Sequence, residues 1–332
     1  MSSDVAMVLV VAAALAFGFS NGFHDAFELI STAISTRSVS PQVAVFAATL
    51  LNFAGAFVSV AVAATIARNV VDAGEIAPVV VLTGLLGAIA WNLGTMRLGL
   101  PSSSSHALIG GLLGASLAAA GTSAVLGADV LEKVLIPALL APLAAFLLAL
   151  GAIAILYRLF ARRRPGPVTR GFRRAQLLSG GLLALGHGAN DAQKTMGVIA
   201  LALIANGSLG AEADPPLWAI FAAAAAIALG TWAGGLRAMR GGGSRIIEID
   251  AAQGFSAQGA GAATILTATF LGFPISSIHT VSGGVMGAGA VKRVSAVRWG
   301  VAGNIILAWV LTLPAAAAIG ALAYGVAWVF GA

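Results

Sequence analysis

Apolar residues fall in stretches close to the roughly 20 residues a helix needs to cross a bilayer, and short polar connections separate them. On that rule the pattern predicts spans over residues 5–36, 41–67, 77–96, 107–120, 130–160, 176–205, 216–236, 253–271, a short segment ending at 291, and 299–330. The first span is long, and a break is expected within it near Asn21-Gly22. Two turn-like stretches, Gly99 to His106 and Gly272 to His279, open the two short segments.

The pattern repeats. Setting Asp25 over Asp191 puts Gly22 over Gly188, His24 over Asn190, Ala26 over Ala192 and Glu28 over Lys194. Laying residues 99–115 over 272–288 matches Gly99, Pro101, Ser103, Ser104, His106, Gly110, Gly111, Gly114 and Ala115 with identical residues. Paired motifs in the same order mark a duplication, which in membrane carriers points to repeat-built transporters. The expected fold is therefore an all-α polytopic membrane protein. It has two five-segment halves in an inverted repeat, with broken helices and Ser-rich helix tips. Residues 1–160 form the first repeat, 161–175 a basic cytoplasmic linker, and 176–332 the second repeat.

Charge placement tests the orientation. If short basic loops are cytoplasmic, Arg37, Arg97, the block from Arg158 to Arg174, the loop from Arg237 to Arg245 and that from Lys292 to Arg298 lie inside. The connections around Asp72, Asp129 and Glu212 to Asp214 lie outside, with Arg68 and Lys133 as exceptions. Five crossings per half then give ten crossings, both termini outside and halves of opposite sense; re-entrant Ser-rich segments change that count.

Composition agrees with a bilayer. The chain is 59% hydrophobic and 9% charged, with a mean hydropathy of +0.97, far more apolar than average soluble usage. A pI near 10.7 would suggest nucleic acid in a soluble protein, but here the arginines flank apolar spans and the positive-inside rule accounts for them, so no nucleic-acid partner is expected. The absence of cysteine excludes disulfides, thiol catalysis and thiolate metal sites. No Lys or Arg precedes the apolar start and Asp4 does, so a cleavable signal peptide is not expected.

Asp25, Glu28, Asp191 and Lys194 are the charges set inside apolar runs, and all four histidines, His24, His106, His187 and His279, lie in the repeated motifs. Charge at bilayer depth costs several kcal/mol and normally faces a cavity or a partner on a transport route. Half-helix N-termini suit anions, and Ser103, Ser104, Ser105, Ser276 and Ser277 add hydroxyl donors, with Pro101 and Pro274 at the helix starts. Read blandly, such serines cap helices or ease packing, and a buried acid belongs to a structural salt bridge; matched copies favour function. Asp25 and Asp191 suit a cation or a proton. Glu28 and Lys194 are either an ion pair or a gate. Enzyme motifs are wanting: no HExxH spacing occurs, Ser105 and His106 are adjacent and diverge on a helix, and the glycines at 241–243 lack the Lys-Ser/Thr of a phosphate loop. No enzyme activity is expected.

On these residues the chain resembles the PiT family of inorganic phosphate transporters, especially the bacterial low-affinity branch. The resemblance rests on Asn21-Gly22-Phe23-His24-Asp25, Trp91-Asn92-Leu93-Gly94-Thr95, Gly99-Leu100-Pro101 with Ser103 to His106, His187 to Lys194, Gln253 to Gln258, and Gly272-Phe273-Pro274 with Ser276, Ser277 and His279. It covers nearly the whole chain. It implies a secondary transporter of the inner (plasma) membrane, with lipid around it and a homodimer among its allowed assemblies. It moves phosphate, in some relatives as a neutral metal–phosphate complex, by symport with protons or sodium, and has no cofactor.

Carried over, Asn21, Asp25, Asn190 and Asp191 sit at the ion and phosphate site with the two serine turns. Asp25, Glu28, Asp191 and Lys194 are the candidates for coupling. One departure stands out: relatives continue Asp-(small)-Ala-Asn, and here Asp25-Ala26-Phe27-Glu28 places a ring and an acid there. Glu28 leans the reading toward protons, and leaves sodium coupling and another tetrahedral oxyanion such as sulfate as alternatives. A channel or receptor is a third reading.

Overall fold

The computed structural model describes residues 3–100, 102–240, 249–291 and 299–331. Pro101 and most of the basic loops near 241–248 and 292–298 therefore lie outside the described residues. The first half comprises α1 (Ser3–Ser35), α2 (Pro41–Gly55), α3 (Ala61–Arg68), α4 (Pro78–Leu98), α5 (Ser104–Ala120), a single turn α6 (Gly127–Asp129), a π-helical stretch Val130–Leu135 and α7 (Ile136–Phe160). The second comprises α8 (Pro165–Ala205), α9 (Leu217–Arg240), α10 (Ala251–Phe270), α11 (Ser277–Ala290) and α12 (Trp299–Val329).

Among the described residues, six helices are long and apolar enough to cross a membrane: Val5–Ser35, Pro78–Leu98, Ser104–Ala124, Gly127–Phe160, Leu217–Arg237 and Ile306–Val329. Their outer faces carry the large side chains. On α7, Leu139, Leu143 and Leu147 are exposed while Ala141, Ala145 and Ala149 are buried. Small residues inward and leucines outward is the arrangement lipid favours, because close helix approach rather than water exclusion holds such bundles together.

Two expectations from the pattern need correction. The helix break expected near Asn21-Gly22 is absent: α1 is one helix of 33 residues. The chain breaks instead between α2 and α3, at residues 56–60. Likewise the basic segment 161–175 is a loop only over residues 161–164, because α8 begins at Pro165, where proline's missing N–H costs nothing.

Packing is preserved when the halves are exchanged. α1 lies on α9, and its counterpart α8 lies on α2 and α3; α5 lies on α12, and its counterpart α11 lies on α7. Thus the last helix of each half completes the bundle of the other. The close approaches correspond too. Gly110 and Gly114 of α5 meet the backbone carbonyls of Leu313 and Ala317 on α12, and Gly283 and Gly287 of α11 meet those of Pro142 and Phe146 on α7. At each a Cβ would overlap the facing carbonyl.

Helix ends match as well. Gly99 (φ 67°) and Gly272 (φ 77°) both take the left-handed conformation that favours glycine. Each is followed by the same closing bond, Leu100 N–H to Thr95 O (2.9 Å) and Phe273 N–H to Ala268 O (2.8 Å). This is why both copies carry glycine at that place.

Two apolar cores flank a polar middle. The first gathers Val10, Ala14 and Phe17 of α1 with Val198 to Ala202 of α8. The second gathers Leu29 and Ile30 of α1 with Leu183 and Ala184 of α8. The two helices cross the cores in opposite order, and the charged motif of each falls between them.

Candidate functional site

In that middle layer α1 and α8 present their ionisable residues to each other. Asp25, Asp191 and His187 are almost wholly buried, with 2%, 0% and 1% of their surface exposed. A buried carboxylate needs counter-charge and hydrogen bonds, and both acids have them. The His187 Nε2 lies 3.2 Å from Asp25 Oδ2 and 3.1 Å from Asp191 Oδ2, so one imidazole bridges the two halves. Its Nδ1 is 3.1 Å from Asn52 Oδ1, and Asn52 Nδ2 donates to Thr231 Oγ1 at 2.7 Å, which fixes the ring from α2 and α9. Asp25 also has His24 Nδ1 at 3.1 Å from its Oδ1.

Asp191 carries the heavier load. Lys194, one turn along α8, places its ammonium on Asp191 Oδ1 and donates to the Ile275 carbonyl at 2.9 Å. Ser277 donates to the same Oδ1 at 2.9 Å, and Asn21 Nδ2 lies 3.3 Å from Oδ2. Ser104 donates to Asn21 Oδ1 at 2.7 Å, and Ser105 to the Ile275 carbonyl at 2.8 Å. The tip of α11 is thereby tied to Asp191 directly through Ser277, and the tip of α5 reaches the same acid through Asn21. α11, with 14 residues, rises only about 20 Å. It is shorter than the ~30 Å hydrocarbon layer.

The serines divide by role. Ser103 and Ser276 are N-caps whose hydroxyls accept from His106 N–H (3.2 Å) and His279 N–H (3.4 Å); Ser104, Ser105 and Ser277 point into the polar layer. Asn190 is buried beside Asp191, but its amide donates to Thr269 Oγ1 and the Phe273 carbonyl, both at 3.1 Å, leaving its Oδ1 without a partner. It anchors the connection that leads to α11.

Glu28 does not meet Lys194. Among the described residues it makes no ion pair, and its Oε2 is buried without a hydrogen-bond partner. The reach of a lysine to an acid one helical turn away decides this, since Asp191 and Lys194 share one face of α8.

The other repeated histidines, one from each half, lie side by side. The rings of His106 and His279 are 5.5 Å apart, and His279 lies 4.2 Å from the Trp309 ring. Sequence reasoning missed Asn52, Thr231, Thr269, Trp309 and the Ile275 carbonyl. Asn52, a lone amide in an apolar run, was the one with a visible signal.

Asp25, His187 and Asp191 each offer a ligand atom, all within 4.8 Å of one another, a set able to hold a metal ion. The carboxylates suit a hard cation and the imidazole a transition metal.

The pattern of the phosphate transporter family matches residues 21–320, which include every residue of this layer. The chain belongs to the phosphate transporter family. It is 48% identical over 319 residues to a probable low-affinity inorganic phosphate transporter of Rhizobium meliloti, covering 96% of this chain and 95% of that one. To the protein of the same description from Bacillus subtilis it is 42% identical over 319 residues, covering 96% of each. Its counterpart in Mycobacterium tuberculosis H37Rv is 45% identical, over 98% of this chain and 78% of the other. In fold it is similar to a solved structure described as the sodium-dependent phosphate transporter, with a TM-score of 0.90 at 23% identity, covering 98% and 99% of the two chains. Phosphate is the substrate of the family, and its membership with six apolar helices makes this chain a multi-pass protein of the inner (plasma) membrane.

Proposed function

We propose that the chain imports inorganic phosphate by symport with protons, as a carrier that leaves its cargo chemically unchanged. The observation that carries this reading is the single imidazole of His187 held between Asp25 and Asp191, with the Ser277 hydroxyl of α11 on Asp191 and the Ser104 hydroxyl of α5 reaching that acid through Asn21. Carboxylates in a low-dielectric layer repel a phosphate anion unless a cation or proton compensates them, and Asp25, whose partners are imidazoles rather than an ammonium, is the acid a coupling ion would compensate. Loading of the coupling ion at that acid therefore precedes, and licenses, loading of phosphate at the hydroxyls. Ser104, Ser105 and Ser277, with the free N–H groups at the starts of α5 and α11, supply donors for phosphate oxygens. Opposite traversal of the two cores by α1 and α8 supports two inverted halves that rock about this layer.

Specific observations favour two variants of this reading. The name of the structural neighbour favours sodium as the coupling ion. The Asp25, His187 and Asp191 donor set favours phosphate carried as a neutral complex with a divalent metal. Proteoliposomes separate them: labelled phosphate and labelled sulfate are offered with proton and sodium gradients imposed one at a time, with and without magnesium. Uphill phosphate uptake driven by an acid exterior alone is the expected result. Uptake that needs sodium moves the reading to sodium coupling, preference for sulfate changes the cargo, and saturable binding without uphill uptake removes the carrier.

A further inference from the structure

Lys194 is fully buried, and its ammonium lies among oxygen atoms that come from separate elements: the Asp191 carboxylate of α8 and the Ile275 carbonyl before α11, with the Ser277 hydroxyl on the same carboxylate oxygen. Carboxylate, backbone carbonyl and hydroxyl are hard oxygen donors, the kind that hold alkali and alkaline-earth cations. The backbone at 271–276 has been brought to this point by anchors of its own, the Asn190 bonds to Thr269 and Phe273. The ammonium thus has a carboxylate and a backbone carbonyl as direct partners, with a hydroxyl on the same carboxylate oxygen, an oxygen set that would also suit a metal cation.

The first half differs at the same place. The position matching Lys194 is Glu28, so no tethered ammonium reaches Asp25, whose partners are the two imidazoles of His24 and His187. One acid carries a built-in cation and the other must draw its own from solution.

We infer that the Lys194 ammonium is a resident cation occupying a site built for a monovalent metal ion, so that this half is permanently occupied and only the Asp25 half exchanges its cation. The carrier then needs one soluble cation fewer per cycle than a version of itself without the lysine. That coupling consequence rests on the symport reading; the occupancy of the site does not. Tethering removes the translational entropy a free ion loses on binding, so the lysine holds the site against sodium at any ordinary concentration.

The test is labelled-sodium binding to the purified, detergent-solubilised full chain without phosphate. The wild-type protein is expected to bind no sodium at Asp191. Lys194→Met, which keeps the length of the side chain and removes its charge, is expected to gain one saturable sodium per chain. Lys194→Met combined with Asp191→Asn is expected to lose it again. A monodisperse Lys194→Met protein that gains no sodium overturns the inference, as does a wild-type protein whose sodium binding Asp191→Asn abolishes. Should Lys194→Met aggregate in choline chloride, sodium chloride is expected to restore its monodisperse fraction, and equal aggregation in both salts overturns the inference. Because phosphate is absent from these measurements, a wild-type protein that fails to take up phosphate sinks the transport reading alone.

Discussion

At the scale of single residues, the polar layer concentrates its cost in Asp191, which answers an ammonium, an imidazole, a hydroxyl and an amide at once. Asp191→Asn leaves the Lys194 ammonium buried with a carbonyl as its remaining partner. Breaking a buried pair in this way costs about 3–5 kcal/mol. The expected outcome is a clear drop in thermal unfolding temperature in detergent together with loss of phosphate uptake; unchanged stability contradicts the pairing.

Glu28 makes the opposite case, since its Oε2 has no hydrogen-bond partner. The charged and titratable groups that act on it are His24 and Asp25 on its own helix and His187 across the layer. Glu28→Gln keeps the shape and removes the proton site, so the pH dependence of uptake in proteoliposomes should change, whereas an identical profile excludes Glu28 as a proton carrier. The two acids were legible in the sequence because charge in an apolar run has few explanations. The pairing of Glu28 with Lys194 was not, because aligning the copies assumes equivalent residues keep equivalent partners, and a lysine three positions from an acid takes the nearer one. The Ile275 carbonyl left no trace, since any residue supplies one.

Among the elements, the serine turns separate into capping and layer-facing positions, and substitution should tell them apart. Ser276→Ala removes an N-cap and is expected to cost about 1 kcal/mol of stability with little change in phosphate affinity. Ser277→Ala strips a hydroxyl from Asp191, and uptake rather than stability should record its loss.

Glycines sort in the same manner. Gly114→Ala drives a methyl into the Ala317 carbonyl and should separate α5 from α12, while Gly151→Ala meets open space and should be silent in the same thermal unfolding measurement. That distinction explains the misplaced break in α1. Gly22 reads as a helix breaker, yet it is there because α9 brings the Ile227 carbonyl against it. The real break, Ala56-Phe57-Val58-Ser59-Val60, contains neither proline nor glycine and gave no warning. The order of the apolar segments was readable from hydropathy; which glycine bends and which packs depends on a neighbour far away in sequence.

For the whole molecule, exchange of the last helices is the organising fact. Because α12 completes the bundle of the first half and α7 that of the second, each half packs its core partly against the other half's last helix. A chain divided within residues 161–164 should give no stable product from either piece alone, and a monodisperse, phosphate-transporting complex when both are co-expressed. Size-exclusion chromatography and uptake measure the two outcomes. The duplication itself was legible from two matched motifs, but the crossing-over was not, since no local pattern says which bundle a helix joins.

Where a carbonyl seats against a glycine, as α5 does on α12 and α11 on α7, no side chains intervene to slide or re-pack, and each pair is locked like meshed gears. Any large rearrangement must then find its slip plane elsewhere, along the seam where His187 spans from α8 to Asp25 of α1. On the proposed symport reading the His187 contact with Asp25 is the one a coupling ion remakes, so filling the seam and freeing it to turn become one event.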